Sequence, residues 1–386
     1  MTKTTTSSTS IQQLEVSFPG YISEEMKKEY GDDYAFNLSG TLRMPSTSPS
    51  TTTTATSKPS SLLYPAAIVI HGSGPIDRDG NAIMPFPLPS MKLNTHNHLA
   101  DYLVKNNSMV VLCHDKRGVG KSISKQSKNP LYYDSGMMDL VYDVIHAYKY
   151  LIENHSHVVD SQNIFLIGHS EGAILLPLIV ETMQKEYSST SSSLPIPKGI
   201  IFVSGFGETL PRALQNQQET ILKEVQESKG FQGFILKRVI TKDKLEKQHV
   251  EFMKHVNIQD QNYYSQHCGL IKIPTKWYRE HMQWDTLKSL RECKVPMLAL
   301  TGSKDVQAKC DYCEKEKAKT LAPNTSNLQT HIIKDMTHIL RTTDKPASIL
   351  NVQKDYMKQS KQPLCDEFLT IVSNWIASTS SSCSTE

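Results

Sequence analysis

One short stretch combines a potential nucleophile with the small residues needed to expose it. A G-x-S-x-G pattern occupies residues 168–172, between apolar runs at 164–167 and 173–180. This context predicts a strand, a sharp turn and a helix, with Ser170 held in a strained conformation that presents its hydroxyl. The bare pattern arises by chance in roughly one in ten chains of this length. Its significance therefore depends on whether the chain supplies partners for Ser170.

A serine hydroxyl is a weak nucleophile unless a base accepts its proton and a carboxylate orients that base. Asp305 stands in a polar loop just after the apolar run 295–300, and His338 follows the run 329–333. Loops after parallel strands converge on one sheet edge, so we expect both side chains near Ser170. The competing interpretation of Asp305 is a turn-forming residue.

Stabilising a tetrahedral oxyanion requires two backbone N–H donors. We expect one from Glu171, at the start of the helix after Ser170, and one from the Gly-rich loop 71–75. In that loop Ser73 N–H is the natural donor and Gly74 N–H is the alternative. The Glu171 side chain also places negative charge beside the oxyanion, which disfavours anionic substrates. The loop lacks the spacing of a nucleotide-binding turn, so nucleotide binding is not expected.

Two charged blocks follow the first two predicted parallel strands, at 77–80 and 114–122. The second has the wrong spacing for a phosphate-binding loop. We interpret it as a rigid turn in which Arg117 pairs with Asp115, and we interpret the first block as a brace for its own loop.

The elements that must position these residues alternate between strand and helix. Short apolar runs predict buried parallel strands, and helical spacing is clear at 95–106, 136–154 and in the segment containing Phe368 and Trp375. The strands are predicted at 66–70, 109–113, 164–167, 199–203, 295–300 and 330–333. Such repeats imply a mostly parallel sheet covered on both faces. Alternating residues within 11–45 predict antiparallel strands at a sheet edge.

One insertion and three low-complexity segments interrupt this pattern. Residues 206–290 contain amphipathic helical stretches and no clear strand, which predicts a helical lid over the strand ends; ordinary peripheral helices are the alternative. The predicted organisation is a disordered tail at 1–10, a core formed by 11–205 and 291–378, a flexible loop at 46–60 within that core, and a flexible tail at 379–386.

Composition excludes several classes of partner. The 386 residues carry a net charge of only +3, without a polybasic block, so neither nucleic acid nor an anionic membrane is expected as a partner. No apolar run approaches the length of a membrane span. Seven cysteines without a signal peptide predict reduced thiols and a cytoplasmic location. Cys310 and Cys313 lack a second pair for zinc, so neither a metal nor an organic cofactor is expected.

These motifs, taken in order, resemble those of the α/β-hydrolase superfamily, and more narrowly those of a group of esterase-like serine hydrolases. The matching blocks lie at 71–81, 115–122, 168–172, 302–305 and 338. The departures are Thr337, where the group usually has Asn, and His114, where Tyr is frequent. The resemblance implies an α/β-hydrolase fold with a mostly parallel central sheet, helices on both faces and a helical lid insertion.

The resemblance also implies that Ser170 is the nucleophile, His338 the general base and acid, and Asp305 the orienting carboxylate. The expected reaction is hydrolysis of a small-molecule carboxylic ester through an acyl-enzyme. A thioester or peptide substrate, or transfer of the acyl group to another acceptor, would use the same triad. An alternative of another class is a binding module on this fold, against which the presence of all three side chains argues. The sequence does not indicate an oligomeric state.

Overall fold

The computed structural model describes residues 10–46, 63–84, 89–124, 131–187, 193–266, 271–325 and 327–381. Nearly all of the predicted flexible loop at 46–60 and of the tail at 1–10 lies outside these ranges. Part of the predicted tail at 379–386 is helical instead, because the last helix continues to Ser381.

The strands of the main sheet are β1 (Ile11–Pro19), β2 (Asn37–Pro45), β3 (Tyr64–Ile70), β4 (Val110–His114), β5 (Val159–His169), β6 (Gly199–Val203), β9 (Met297–Gly302) and β10 (Leu328–Ile333), and a separate pair is formed by β7 (Tyr263–Gln266) and β8 (Ile271–Pro274). The helices are α1 (Glu24–Tyr30), α2 (Thr95–Asn107), α3 (Met137–Asn154), α4 (Glu171–Tyr187), α5 (Leu210–Glu227), α6 (Gly230–Val239), α7 (Lys242–Val256), α8 (Thr275–Gln283), α9 (Thr286–Glu292), α10 (Lys315–Leu321), α11 (Val352–Gln359) and α12 (Asp366–Ser381).

The main sheet has the strand order β1-β2-β4-β3-β5-β6-β9-β10. From β4 to β10 neighbouring strands run parallel, whereas β1 and β2 pair antiparallel with each other and β2 with β4. This is the predicted α/β-hydrolase arrangement, with the antiparallel strands at one edge. The helix α1 between β1 and β2 was not predicted.

Successive residues of the central strands face opposite sides of the sheet and enter two hydrophobic cores. Ile68 and Ile70 of β3 pack in the core that contains α3 and α4, whereas Ala67 and Val69 pack in the core that contains α2 and α12. Strands buried on both faces read as continuous apolar runs, which explains why the sequence identified them correctly.

The segment 206–290 is mainly helical, as predicted, but the expectation that it contains no strand is wrong. Strands β7 and β8 form a two-stranded antiparallel sheet with Tyr263 opposite Pro274. Each strand has only four residues, which gives too few alternations of polar and apolar side chains for a strand signal.

The loops after the parallel strands meet at one edge of the sheet, and every residue predicted for catalysis lies there. Ser73 follows β3, Ser170 follows β5, Asp305 follows β9 and His338 follows β10. Within the described ranges, no helix combines the length and apolarity needed to cross a membrane.

Candidate active site

Ser170 occupies the turn between β5 and α4 with a backbone φ of 56°. A non-glycine residue rarely adopts this left-handed conformation, and such strain is concentrated at functional sites. The glycines on either side permit the tight crossing: a Cβ on Gly168 would collide with the carbonyl oxygen of Gly172, and a Cβ on Gly172 with that of Ile70. The turn is further fixed by a 2.8 Å hydrogen bond from Ser170 N–H to the Val203 carbonyl.

The His338 ring and the Asp305 carboxylate are hydrogen-bonded. Nδ1 of His338 lies 2.9 Å from Oδ2 and 3.1 Å from Oδ1 of Asp305. Burial disfavours the ionised carboxyl, but His338 and the backbone N–H groups of Gln307 and Ala308 outweigh it, so the pKa of Asp305 lies below its ordinary value. Asp305 is therefore an ionised, fixed acceptor that holds the orientation of His338.

His169, within the pentapeptide, supports this arrangement and was not singled out in the sequence. Its Nε2 donates a 2.8 Å hydrogen bond to the His338 carbonyl oxygen. Burial, assisted by the neighbouring His338 and His96, lowers the pKa of His169 to about 3. A neutral imidazole thus anchors the backbone of His338. The sequence offered a weak signal for this role, since His169 adjoins Ser170.

The Glu171 carboxylate is buried and fully partnered. It accepts hydrogen bonds from Lys116 Nζ at 2.9 Å, from His281 Nε2 at 3.0 Å and from the Trp277 indole N–H. Burial alone would raise its pKa, but Lys116 and His281 outweigh this and hold the pKa of Glu171 at about 2. The negative charge expected beside the oxyanion therefore has its own buried cation, which weakens the argument against anionic substrates.

Lys116 joins the two segments predicted to carry the oxyanion donors. Its Nζ donates to the Gly72 carbonyl oxygen at 2.8 Å as well as to Glu171, and its side chain is only 2% exposed. Gly72 packs beside the nucleophile, because a Cβ added to it would lie 3.1 Å from the Ser170 Cβ. The sequence marked this lysine only as part of a charged block, since nothing in its spacing relates it to residues 72 and 171.

The expected pairing of Arg117 with Asp115 is wrong. Arg117 binds Asp143 of α3 through its Nε at 2.6 Å and its Nη2 at 2.7 Å. Asp115 instead binds Arg78, with Nη2 at 2.7 Å from Oδ2. Both arginines thus connect their loops to elements distant in sequence. The sequence could not identify these partners, because they depend on tertiary contacts. The bracing role predicted for residues 77–80 agrees with the contacts of Asp77, whose Oδ1 accepts hydrogen bonds from the backbone N–H groups of Asp79 and Asn81.

Two cavities flank Ser170, and Ser73, Ser170 and Gln307 line both. The first, which we call the His338 cavity, has a volume of about 210 Å³. It is largely apolar and is lined by His338 with Ile76, Met84, Met91, Leu93 and Ile339. The second, which we call the α5/α8 cavity, has a volume of about 170 Å³. It lies between helices α5 and α8 and is lined by Leu210, Leu214, Trp277, Tyr278, His281, Glu171, Ser204 and Glu208.

Comparison with known proteins places this geometry in a family. The family model described as serine aminopeptidase S33 (Hydrolase_4) matches residues 91–342, which include Ser170, Asp305 and His338. Esterase EstD of Thermotoga maritima is 22% identical over 279 residues, which are 72% of this chain and 55% of that protein. The chain therefore spans about half the length of this curated relative.

Two esterases are among the solved structures to which the chain is similar. Est1E from Butyrivibrio proteoclasticus, solved with ferulic acid, is 15% identical with a TM-score of 0.47, covering 89% of this chain and 94% of that one. The Pyrococcus furiosus esterase Pf2001 is 13% identical with a TM-score of 0.48, covering 96% and 92%. The family model spans well over half of the sequence, and the protein therefore belongs to the serine aminopeptidase S33 family of α/β-hydrolases.

Proposed function

We propose that the protein is a serine hydrolase that cleaves carboxylic esters, with Ser170 as nucleophile, His338 as general base and acid, and Asp305 as the orienting carboxylate. The observation that carries this proposal is the hydrogen bond between His338 and Asp305, with His338 lining the cavity that also contains the strained Ser170. The similarity to an esterase supports the choice of ester over other acyl substrates.

In the acylation step the Ser170 hydroxyl attacks the ester carbonyl carbon. Since Nδ1 of His338 is bonded to Asp305, Nε2 is the nitrogen that takes the hydroxyl proton. The backbone N–H groups of Ser73 and Glu171 hold the negative oxygen of the tetrahedral intermediate. Collapse of the intermediate breaks the bond to the alcohol oxygen, which receives the proton from His338. A water activated by His338 then hydrolyses the acyl-enzyme and regenerates Ser170.

The two cavities receive the two halves of the ester. The leaving alcohol must lie next to His338, which protonates it, and His338 lines only the more apolar of the two cavities. The alcohol portion therefore occupies the His338 cavity, and the acyl portion occupies the α5/α8 cavity. Residues 206–290 act as a lid in this proposal, because α5 and α8 form the wall over the acyl portion.

The proposed location is the cytoplasm. Cys113, Cys293 and Cys365 are buried free thiols, a state that suits a reducing compartment.

Labelling with a fluorophosphonate probe, combined with hydrolysis of simple esters, tests this function. We expect the wild type to be labelled and Ser170→Ala to be unlabelled, with kcat reduced by about 10⁴-fold or more. Ser156→Ala, at an exposed position, is the matched control and should keep both properties. A folded wild type that resists labelling would overturn the proposal. Preferential cleavage of aminoacyl amides over matched esters would instead assign a peptidase.

A further inference from the structure

The α5/α8 cavity contains two polar side chains whose hydrogen-bonding capacity is unused. Among the described residues, Ser204 Oγ and Glu208 Oε2 have no hydrogen-bond partner, although the two residues are only 1% and 4% exposed. A buried polar atom without a partner destabilises a fold, so such atoms call for an explanation. Here both residues line the cavity that holds Ser170, which makes a bound ligand the natural partner.

Both residues belong to the loop after β6, and that loop is fixed against the nucleophile. Ser204 N–H donates to the Leu300 carbonyl at 2.8 Å. The next residue, Gly205, packs on Ser170 so closely that an added Cβ would lie 2.5 Å from the Ser170 carbonyl oxygen. The backbone that carries these side chains is therefore held beside the reacting centre, as a specificity site requires.

The charges around Glu208 indicate which ligand group is missing. Arg212 of α5 and Lys309 of the β9–α10 loop already lie near the carboxyl and lower its pKa, while Tyr312 faces it from the same loop. The other oxygen, Oε1, accepts a 3.3 Å hydrogen bond from Thr209 N–H. Cations and the backbone N–H of Lys309 are thus already near the carboxyl, but Oε2 accepts no hydrogen bond of normal length from a described residue.

A neutral hydroxyl meets this requirement better than an ammonium group. Burial raises the pKa of Glu208 to about 7 against these opposing cations, so both of its protonation states are populated near neutrality. A hydroxyl donates to the ionised carboxyl and accepts from the protonated one, whereas an ammonium group can pair only with the ionised form. Ser204 Oγ can also donate or accept.

We propose that Ser204 and Glu208 form a subsite that binds a neutral hydroxyl on the acyl portion of the substrate, so that the enzyme prefers esters of hydroxy acids. The assignment to the acyl portion rests on the proposed function, which places that portion in the α5/α8 cavity. Trp277 and Tyr278 supply apolar surface for the carbon chain between the scissile carbonyl and the hydroxyl.

The test compares benzyl esters, whose apolar alcohol suits the His338 cavity. The acyl groups are butanoyl and hexanoyl, their 3-hydroxybutanoyl and 6-hydroxyhexanoyl counterparts, the corresponding methoxy ethers and the corresponding amines. Release of benzyl alcohol is measured by chromatography. For the wild type we expect kcat/KM for at least one hydroxyacyl ester to exceed that of its unsubstituted parent by about tenfold or more. The free energy of a hydrogen bond to a charged group corresponds to a factor of this size. The methoxy ethers cannot donate and can only accept from protonated Glu208, so they should keep at most part of this advantage.

Variants of the subsite should change the ratio of the two kcat/KM values. Glu208→Met should bring the hydroxyacyl-to-parent ratio to about one, Ser204→Ala should lower it severalfold, and Glu208→Gln should retain part of it because the amide oxygen still accepts. Glu219→Gln, at an exposed position of α5, is the matched control and should leave the ratio unchanged.

The outcomes separate the subsite from the reaction itself. Hydrolysis of the parent esters with no preference for either hydroxyacyl ester overturns the subsite and leaves the esterase proposal standing. The same holds if the preference survives in Glu208→Met, or if the amine is preferred over the hydroxyl. Failure of Ser170 to react with a fluorophosphonate, together with no hydrolysis of any ester, overturns the esterase proposal instead.

Discussion

Two buried glutamates line the same cavity but have opposite environments. Glu171, at the start of α4, is 3% exposed, and Glu208, in the loop after β6, is 4% exposed. Glu171 accepts hydrogen bonds from three side chains. Glu208 Oε2 accepts none among the described residues. Burial is therefore nearly the same for the two carboxyls, and only their partners differ.

Because of this difference, ionisation of the two carboxyls affects the stability of the fold in opposite directions. The folded pKa of Glu171, about 2, lies below its ordinary value of 4.5, so its stabilising contribution is present above pH 4.5 and is lost as the pH falls towards 2. The folded pKa of Glu208, about 7, lies above 4.5, so Glu208 increasingly destabilises the fold as the pH rises from 4.5 to 7. Glu171 is stabilised by its three partners, whereas Oε2 of Glu208 has none among the described residues.

Removing the cation beside Glu171 should have the largest effect. Lys116→Met leaves a buried carboxylate without its ion-pair partner, which costs about 3–5 kcal/mol of unfolding free energy. It also frees the Gly72 carbonyl, so we expect kcat to fall by about ten- to a hundredfold through misplacement of the Ser73 donor. Denaturant unfolding and steady-state kinetics measure the two effects.

Lys121→Met is the matched control for this variant. Lys121 lies in the same charged block, and its side chain is 71% exposed where it pairs with Glu15. Exposed ion pairs contribute little, so this change should cost less than about 1 kcal/mol. Equal effects at residues 116 and 121 would contradict the role assigned to the buried lysine.

Neutralising Glu208 should raise the free energy of unfolding, whereas Lys116→Met lowers it. Glu208→Gln removes a buried carboxylate whose Oε2 has no hydrogen-bond partner among the described residues, and we expect the free energy of unfolding to rise by about 2–3 kcal/mol at pH 8. At pH 5, where the folded wild type holds Glu208 protonated, the gain should shrink to below about 1 kcal/mol. Glu219→Gln is the reference at both pH values. A gain that is independent of pH would show that the carboxyl charge is not its source.

The smallest expected effect tests the contact between α8 and the elbow. Trp277→Phe keeps an aromatic ring but removes the indole N–H that donates to Glu171. Because His281 still donates to the same oxygen, we expect a loss of about 1 kcal/mol. Trp284→Phe, at a position 43% exposed, should change stability by less than about 0.5 kcal/mol. If Trp277→Phe costs no more unfolding free energy than Trp284→Phe, the hydrogen bond from Trp277 to Glu171 does not contribute to stability.

The parallel strands were predicted well because each is buried on both faces, as in Ala66–Ile70 of β3. Helix α3 was equally clear, since its apolar residues recur with helical spacing over 18 residues. The elements that sequence reasoning missed include α1 and α10, with seven residues each, α11, with eight, and the strands β7 and β8, with four each. Short elements contain too few repeats to establish a period.

The site residues divide in the same way. Ser170, Asp305 and His338 could be predicted because their order along the chain follows the order of the strands they terminate. Their chemical roles remain a prediction until the labelling experiment is done. The sequence could not assign roles to Lys116, His169 and Glu208. The contacts of Lys116 and His169 join residues far apart in sequence, and Glu208 is distinguished by the absence of a partner for Oε2.

The Lys116 contact with Gly72 has a consequence for the electronic structure of the site. The carbonyl of Gly72 and the N–H of Ser73 belong to one peptide unit, whose C–N bond is partly double through resonance. An ammonium group 2.8 Å from the oxygen draws electron density away from the nitrogen, and hydrogen-bonded groups polarise one another in this way. The Ser73 amide proton thereby becomes more acidic. If Ser73 N–H is an oxyanion donor, as proposed, Lys116 strengthens the transition-state interaction through a single backbone amide without touching substrate or nucleophile.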